Sequence, residues 1–460
     1  MQSGNSPASR DIAFHIHGYT NLDKHEQTGP HIMSSGSGIR VKDDTGKSYI
    51  EGLSGLWCAS LGFGGEERLV EAAAKAMRTL PYYHGFGHKT ADVTIDLAEK
   101  LISIAPEQMS KVLFANSGSE ATDLALKLIW YYHNAIGKPE KKKVISRTKG
   151  YHGVTVAAAS LTGLPHLHAD FDLPIAGIYH TDCPHYYRFG EDGETEQEFA
   201  SRCADNLEKL ILDEGPETVA AMYCEPIMGA GGVIVPPDTY YQKIQAVLKK
   251  YDVLLVADEV ICGFGRTGNM WGTQTLGLDP DFISCAKQLS AAYLPISALM
   301  VSDKIYQALK SESRKLGLFG HGSTYAGHPV SSAVALETLK IYEERNIVDH
   351  VRAMAPCMQN GLRTLQDHPL VGEVRGMGLV AGLEMVKDKS DKTPFDAKAM
   401  VGAYAQGRAQ QGGLILRAIG DTLAFCPPMI IIESEIDEIL SITEKALDET
   451  LDWVNEQGLL

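Results

Sequence analysis

From residue 111 to 302 the chain repeats one pattern, a short and largely apolar run followed by a stretch with helical periodicity. The runs KVLFAN (111–116), KKVISRT (142–148), TVAAMYCEP (218–226), DVLLVADEV (252–260), DFISCAK (281–287) and PISALMVS (295–302) read as strands. SEATDLALKLIWYYHNA (119–135), GVTVAAASLTG (153–163) and TYYQKIQAVLKKY (239–251) read as helices between them. Strands that are apolar along their whole length need cover on both faces. The pattern therefore predicts an α/β fold built on a mostly parallel sheet sandwiched by helices. Sheets of this kind bind ligands beyond the carboxyl ends of their strands.

At 460 residues the chain exceeds one compact core. A large domain is expected over residues 70–330, with a smaller α+β domain built from both chain ends, residues 1–69 and 331–460. The N-terminal part offers GIRVKDDTGKSYIEGLSG (38–55), two strands turning at Asp44-Thr45-Gly46. The C-terminal part mixes helices (331–345, 436–457) with the strands GLVAGLEMV (378–386) and LAFCPP (423–428). A formal net charge of -16 opposes nucleic acid and anionic membranes as partners, yet leaves room for a phosphate held by backbone amides. The eight cysteines are scattered without a C-x-x-C pair. They read as free thiols in a reducing compartment, with no metal site and no disulfide frame. No apolar run reaches membrane-spanning or signal-peptide length, so a cytoplasmic protein is expected.

The segment DEVICGFGRTG (258–268) carries Gly263, Gly265 and Gly268 at dinucleotide-fingerprint spacing. A fingerprint needs its first glycine directly after the strand and a helix opening at the third. Here DEVIC intervenes, and NMWGTQTLGLDP follows without a helical period, so the glycines read as loop formers. Asp258 is the more informative residue. A carboxylate at the end of an apolar strand is desolvated and needs a cation or proton donor beside it. The next strand-like run ends in Lys287, whose amine would have its pKa depressed by burial into a nucleophilic range. In NSGSEA (116–121), Ser117 and Glu120 fit a capping box, and Gly118 admits a close approach to the helix N-terminus, a site for an anion. A lysine, a buried aspartate and a phosphate cradle together suit pyridoxal 5′-phosphate.

The chain also resembles the class III aminotransferases, pyridoxal-phosphate enzymes of fold type I, over nearly its whole length. The resemblance rests on NSGSEA, KGYHG (149–153), EPIMGAGG (225–232), DEVICGFGRTG, CAKQL (285–289) and HGSTYAGHP (321–329), in the family order. It implies that Lys287 bonds the cofactor as a Schiff base and carries a proton. Asp258 is then the partner of the pyridine nitrogen, Val260 and Tyr151 flank the ring, and Ser117, Gly118 and Ser119 hold the phosphate. Glu225 supports this group by hydrogen bonding. Thr324 resembles the threonine that reaches the phosphate from the other subunit, which implies a homodimer with shared sites.

Two departures narrow the implied activity. Members acting on ornithine or 4-aminobutyrate carry a second glutamate, here Ala230, and an arginine before the Pro-Pro pair, here Ala424. Arg417, in LILRAIGDTLAFCPP (414–428), instead matches the mobile arginine of the amine:pyruvate ω-transaminases. Trp57 and Phe86 resemble that subgroup's pocket walls. The resemblance thus implies ping-pong transfer from a primary amine to pyruvate. An ω-amino-acid, taurine or diamine:pyruvate enzyme of the same class is the alternative. A nicotinamide oxidoreductase and a non-catalytic binding protein are the rivals outside the family.

Overall fold

The computed structural model describes residues 4–460. Its first strands are β1 (Met33–Ser37), β2 (Arg40–Asp43) and β3 (Ser48–Glu51). The central strands are β4 (Met109–Ala115), β5 (Lys143–Arg147), β6 (Ile178–Thr181), β7 (Val219–Cys224), β8 (Leu254–Asp258), β9 (Phe282–Cys285) and β10 (Ser297–Ser302). The last are β11 (Val371–Met377), β12 (Val380–Met385), β13 (Leu414–Ile415), β14 (Arg417–Ile419) and β15 (Thr422–Phe425).

The central sheet has the order β4-β10-β9-β8-β7-β5-β6. From β6 to β9 every neighbour is parallel, whereas β10 runs antiparallel to both β9 and β4. Strand periodicity sorts β8 cleanly between the two faces. Leu254 and Val256 join a core with Leu124, Leu128 and Ile129 of the helix Gly118–Ala135, while Leu255 and Ala257 join Phe199 and Leu207 of the helix Glu196–Glu214 on the other side. That second helix starts inside the charge run GEDGETEQE. Thr195 and Glu198 form a capping box there, Glu198 accepting from the Thr195 amide at 2.9 Å. Strand β6 has no counterpart among the sequence runs. It is a four-residue edge, paired with β5 only and half-buried at its centre, so it needs little apolar pattern.

The two chain ends meet. β13 lies parallel to β3, with Leu414 opposite Ile50, in a sheet of order β1-β2-β3-β13; β11-β12-β15-β14 form a third sheet. The expected turn between β2 and β3 is organised by Asp43, whose carboxylate accepts from the Thr45 amide at 3.0 Å and the Tyr49 hydroxyl at 2.8 Å, and Gly46 takes a φ of 87°. Among the described residues no helix is long and apolar enough to cross a membrane.

Glu51 closes β3 with its side chain buried, and burial pushes its carboxyl up to about 7 from an ordinary 4.5, against bonds donated by the Gly55 and Leu53 amides. A carboxyl raised in the folded state binds its proton more tightly there than in the unfolded chain. Stability is therefore lost as pH climbs from 4.5 through about 7, and is constant above that window. The loss is on the order of 3 kcal/mol. Glu51→Gln removes this titration. Its melting temperature relative to the parent is expected to rise by a few degrees between pH 5 and pH 8. A difference that stays flat or falls across that interval would refute the assignment.

Candidate active site

Asp258 is the last residue of β8 and 5% exposed, at the carboxyl edge of the parallel strands. Its Oδ2 lies 2.9 Å from His152 Nδ1, and its Oδ1 accepts from the Val260 amide at 3.1 Å. A carboxylate only accepts, so His152 Nδ1 is the donor of this bond. The ring's Nε2 is buried and has no partner among the described residues. Glu225, just beyond β7, accepts from the amides of Tyr151 at 2.9 Å and Gly229 at 3.0 Å. Burial raises its pKa, the Asp258 charge adds to the rise, and His152 opposes it. Glu259 turns away from the site. It accepts from the amides of Gly272 and Thr273 at 2.9 and 2.6 Å, tying down the loop after β8. Gly265 and Gly268 hold positive φ in that loop, and the helix that follows is the five-residue Gly272–Leu276, not a nucleotide-binding helix.

Lys287 departs from the sequence expectation in its backbone. Strand β9 stops at Cys285, and Lys287 opens a 3₁₀ turn, Lys287–Ser290, with a φ of 47°. Non-glycine residues avoid this left-handed region, at a cost of about 1–3 kcal/mol. Gln288 holds the turn in place: its Nε2 donates to the Ile261 carbonyl at 2.7 Å, and its carbonyl accepts from the Tyr342 hydroxyl at 2.6 Å. Protein surrounds the Lys287 amine, and the part of its surface that stays accessible faces a cavity. Desolvation lowers its pKa, with the Asp258 charge pulling the other way.

Lys287 and Asp258 line one cavity of about 130 Å³, with Gly118, Ser119, Tyr151, His152, Gly153, Glu225, Val260, Ile261 and Ala286. That is roughly ten times the space one water needs. A wider cleft of about 730 Å³, bordered by Tyr187, Arg188 and Lys392, contains neither Lys287 nor Asp258. At the cavity end formed by the helix Gly118–Ala135, Ser117 caps the helix, accepting from the Glu120 amide at 3.2 Å. The expected box is half made, because the Glu120 carboxylate turns to the Asn116 amide and side chain at 2.9 and 2.8 Å. A Cβ on Gly118 would stand 3.2 Å from a Val260 methyl, so glycine keeps that wall open. The donor set fits pyridoxal phosphate: a desolvated amine, a buried carboxylate, an orphaned imidazole nitrogen and a helix N-terminus share one cavity of adequate size.

The other expected residues lie outside that lining. Trp57 is buried with a φ of 64° and belongs to one apolar cluster with Leu53, Ile227 and the wall residue Ile261. Arg417, in β14, has its guanidinium carbon 5.9 Å from the centre of the Tyr19 ring. The Tyr19 hydroxyl donates to that of Tyr151 at 3.3 Å, so Arg417 approaches the mouth through Tyr19. Phe86 and Thr324 are exposed and belong to neighbouring segments: Tyr82 donates to the Thr324 carbonyl at 2.8 Å, and the Phe86 ring packs onto Gly322. Sequence reasoning missed His152 and Tyr19. His152 was signalled, since a buried Asp258 demands a donor and His152 neighbours Tyr151. Tyr19 had no signal, because its role depends on where the N-terminal arm lands.

Comparison with known proteins gives a consistent picture. The family model Aminotransferase class-III matches residues 22–447. Gamma aminobutyrate transaminase 3, chloroplastic, of Solanum lycopersicum is 51% identical over 428 residues, 93% of this chain and 82% of that protein. A crystal structure of the omega transaminase from Pseudomonas jessenii in complex with PMP is 53% identical with a TM-score of 0.96, covering 98% of this chain and 99% of that one. A transaminase with L-alanine is 56% identical with a TM-score of 0.91, covering 92% and 100%.

Proposed function

The chain belongs to the class III aminotransferases, which depend on pyridoxal phosphate, and from that premise we propose that it transfers an amino group from a primary amine to pyruvate. The observation that carries the reading is the shared cavity of Lys287 and Asp258 at the carboxyl edge of the sheet. When bound there, pyridoxal phosphate supplies an electrophilic carbon for the amino group and a ring that draws off the electron pair left at the substrate carbon. Lys287 Nζ tethers that group and, once free, moves the proton to and from the substrate carbon. Desolvation lowers its pKa, which makes the amine easier to deprotonate and so better able to accept that proton. Asp258 would hold a proton at the cofactor's ring nitrogen, and His152 keeps Asp258 oriented. Val260 and Tyr151, which both line the cavity, would flank the cofactor, Glu225 fixes the Tyr151 backbone, and Ser117, Gly118 and Ser119 would offer the helix N-terminus to its phosphate.

The reaction runs in two halves. The amine leaves its nitrogen on the enzyme and departs as an aldehyde or ketone; pyruvate then collects the nitrogen and departs as alanine. A similar transaminase with L-alanine supports this acceptor. Arg417 at the mouth is the cation for the pyruvate carboxylate. Loss of a charged hydrogen-bond partner costs about 1.5–3 kcal/mol. Arg417→Ala is therefore expected to raise the pyruvate KM roughly tenfold to a hundredfold, with a much smaller change in the amine half-reaction. Equal losses in both halves would assign Arg417 a structural job.

A second reading has one observation in its favour. Curated relatives at 51% identity are named γ-aminobutyrate transaminases, so an ω-amino-acid donor, its carboxylate gripped by Arg417, is the alternative. Against it, Ala230 and Ala424 replace the glutamate and arginine of that substrate switch. A donor panel with pyruvate as acceptor decides between them. Turnover of primary amines that carry no carboxylate is expected, and turnover of 4-aminobutyrate alone would overturn the first reading.

Exposed Thr324 and Phe86, side by side and away from their own cavity, support a homodimer in which this pair completes the second site. The eight free cysteines support a reducing compartment such as the cytoplasm, although plant relatives are named as mitochondrial or chloroplastic.

A further inference from the structure

The N-terminal arm gathers three histidines around one carboxylate. Asp11 lies on the helix Pro7–Phe14, and His15, four residues on, caps that helix and turns its ring back. His15 Nδ1 is 3.0 Å from Asp11 Oδ1, His17 Nε2 is 2.8 Å from Oδ2, and His25 Nε2, from the helix Leu22–Thr28, is 3.0 Å from the same Oδ2. The rings crowd as well, with centroids 4.4 Å apart for His15 and His17 and 4.3 Å for His17 and His25. We propose that Asp11, His15, His17 and His25 bind one divalent transition-metal cation of the zinc class.

Ligand type selects the ion. Imidazole nitrogens with one carboxylate suit zinc, copper or nickel, whereas magnesium and calcium require oxygen shells. Size agrees too. Tetrahedral bonds of about 2.0–2.2 Å place ligand atoms roughly 3.3 Å apart. The ligand atoms of Asp11, His15 and His17 all lie within 4.8 Å of one another, and His25 reaches the same carboxylate oxygen. An independent observation is that neither arm helix contains a buried residue. Elements this short, with no apolar core, need another anchor, and a metal is one that small units use. Another such grouping, His185 with Glu373 and Glu384, already holds the Arg375 guanidinium between its acids and has Arg188 beside it, which repels a cation. An ion on the arm closes the loop from His17 to His25. That loop carries Tyr19, whose hydroxyl meets Tyr151 at the active-site mouth.

The test uses the holoenzyme, stripped with a chelator and titrated with Zn²⁺ against a chromophoric competitor. One ion per chain is expected, together with the visible difference spectrum of tetrahedral Co²⁺ in a parallel titration. His17→Ala and His25→Ala should each weaken binding at least about tenfold, because even outer partners of metal ligands are worth 10–100-fold. The double variant should bind none. As the arm helices bury no residue, these variants keep the fold, so loss of binding reports on the ligands. No binding in the parent, or full binding in the double variant, overturns the proposal.

Discussion

Replacing Lys287 by alanine is expected to abolish both half-reactions, by at least about 10³-fold, since positioned proton transfer alone is worth roughly 10²–10⁴. Among the described residues Lys287 is the sole amine lining the cavity that holds Asp258, and no other lining residue there can both tether a carbonyl cofactor and move a proton. Borohydride should fix cofactor to the parent chain and not to the variant. The fold should survive. The parent keeps its Lys287 amine desolvated, with its pKa lowered, so below the ordinary lysine pKa that burial subtracts from stability. The cofactor-free variant is accordingly expected to melt no lower than the cofactor-free parent at neutral pH. Retained turnover in Lys287→Ala would remove the basis for the aminotransferase mechanism.

Asp258→Asn carries the second-largest expectation, a loss of about 10²–10³-fold in both halves, the usual worth of one preorganised electrostatic group in a water-excluded site. Size and shape hardly change, and an asparagine carbonyl still accepts from His152 Nδ1, so the defect is one of charge. A cofactor analogue methylated at the ring nitrogen, which stays positive without a carboxylate, should recover part of the lost rate. If the analogue recovers nothing while the variant still binds cofactor, Asp258 has a structural task instead. His152→Phe should show a weaker form of the same defect, because it removes the donor that orients Asp258 and leaves the charge in place.

Much of this site was legible before any coordinates. Asp258 stood out because a carboxylate ending an apolar strand is costly without a partner, and Lys287 because a buried amine is equally costly. Their pairing followed from that shared cost, and the motifs placed both in one family. Less legible was the backbone of Lys287. The run DFISCAK reads as continuous strand, yet the ladder to β10 ends at Cys285 and the chain turns with a positive φ, held by Gln288 and Tyr342 from distant segments. The Ser117–Glu120 box was half right for a similar reason: Asn116 offered Glu120 two donors.

Local pattern alone determined the mostly parallel sheet, the identity of its buried acid and lysine, and the helix start beside them, because burial and periodicity act along the chain. Only the tertiary structure decided what faces what. It put Phe86 and Thr324 together on the surface, Trp57 in one apolar cluster with the wall residue Ile261, His152 against Asp258, and Tyr19 between Arg417 and Tyr151. These juxtapositions join residues as much as 398 positions apart, Tyr19 and Arg417, through sheet pairing and loop landing. No local rule of spacing or propensity encodes such contacts.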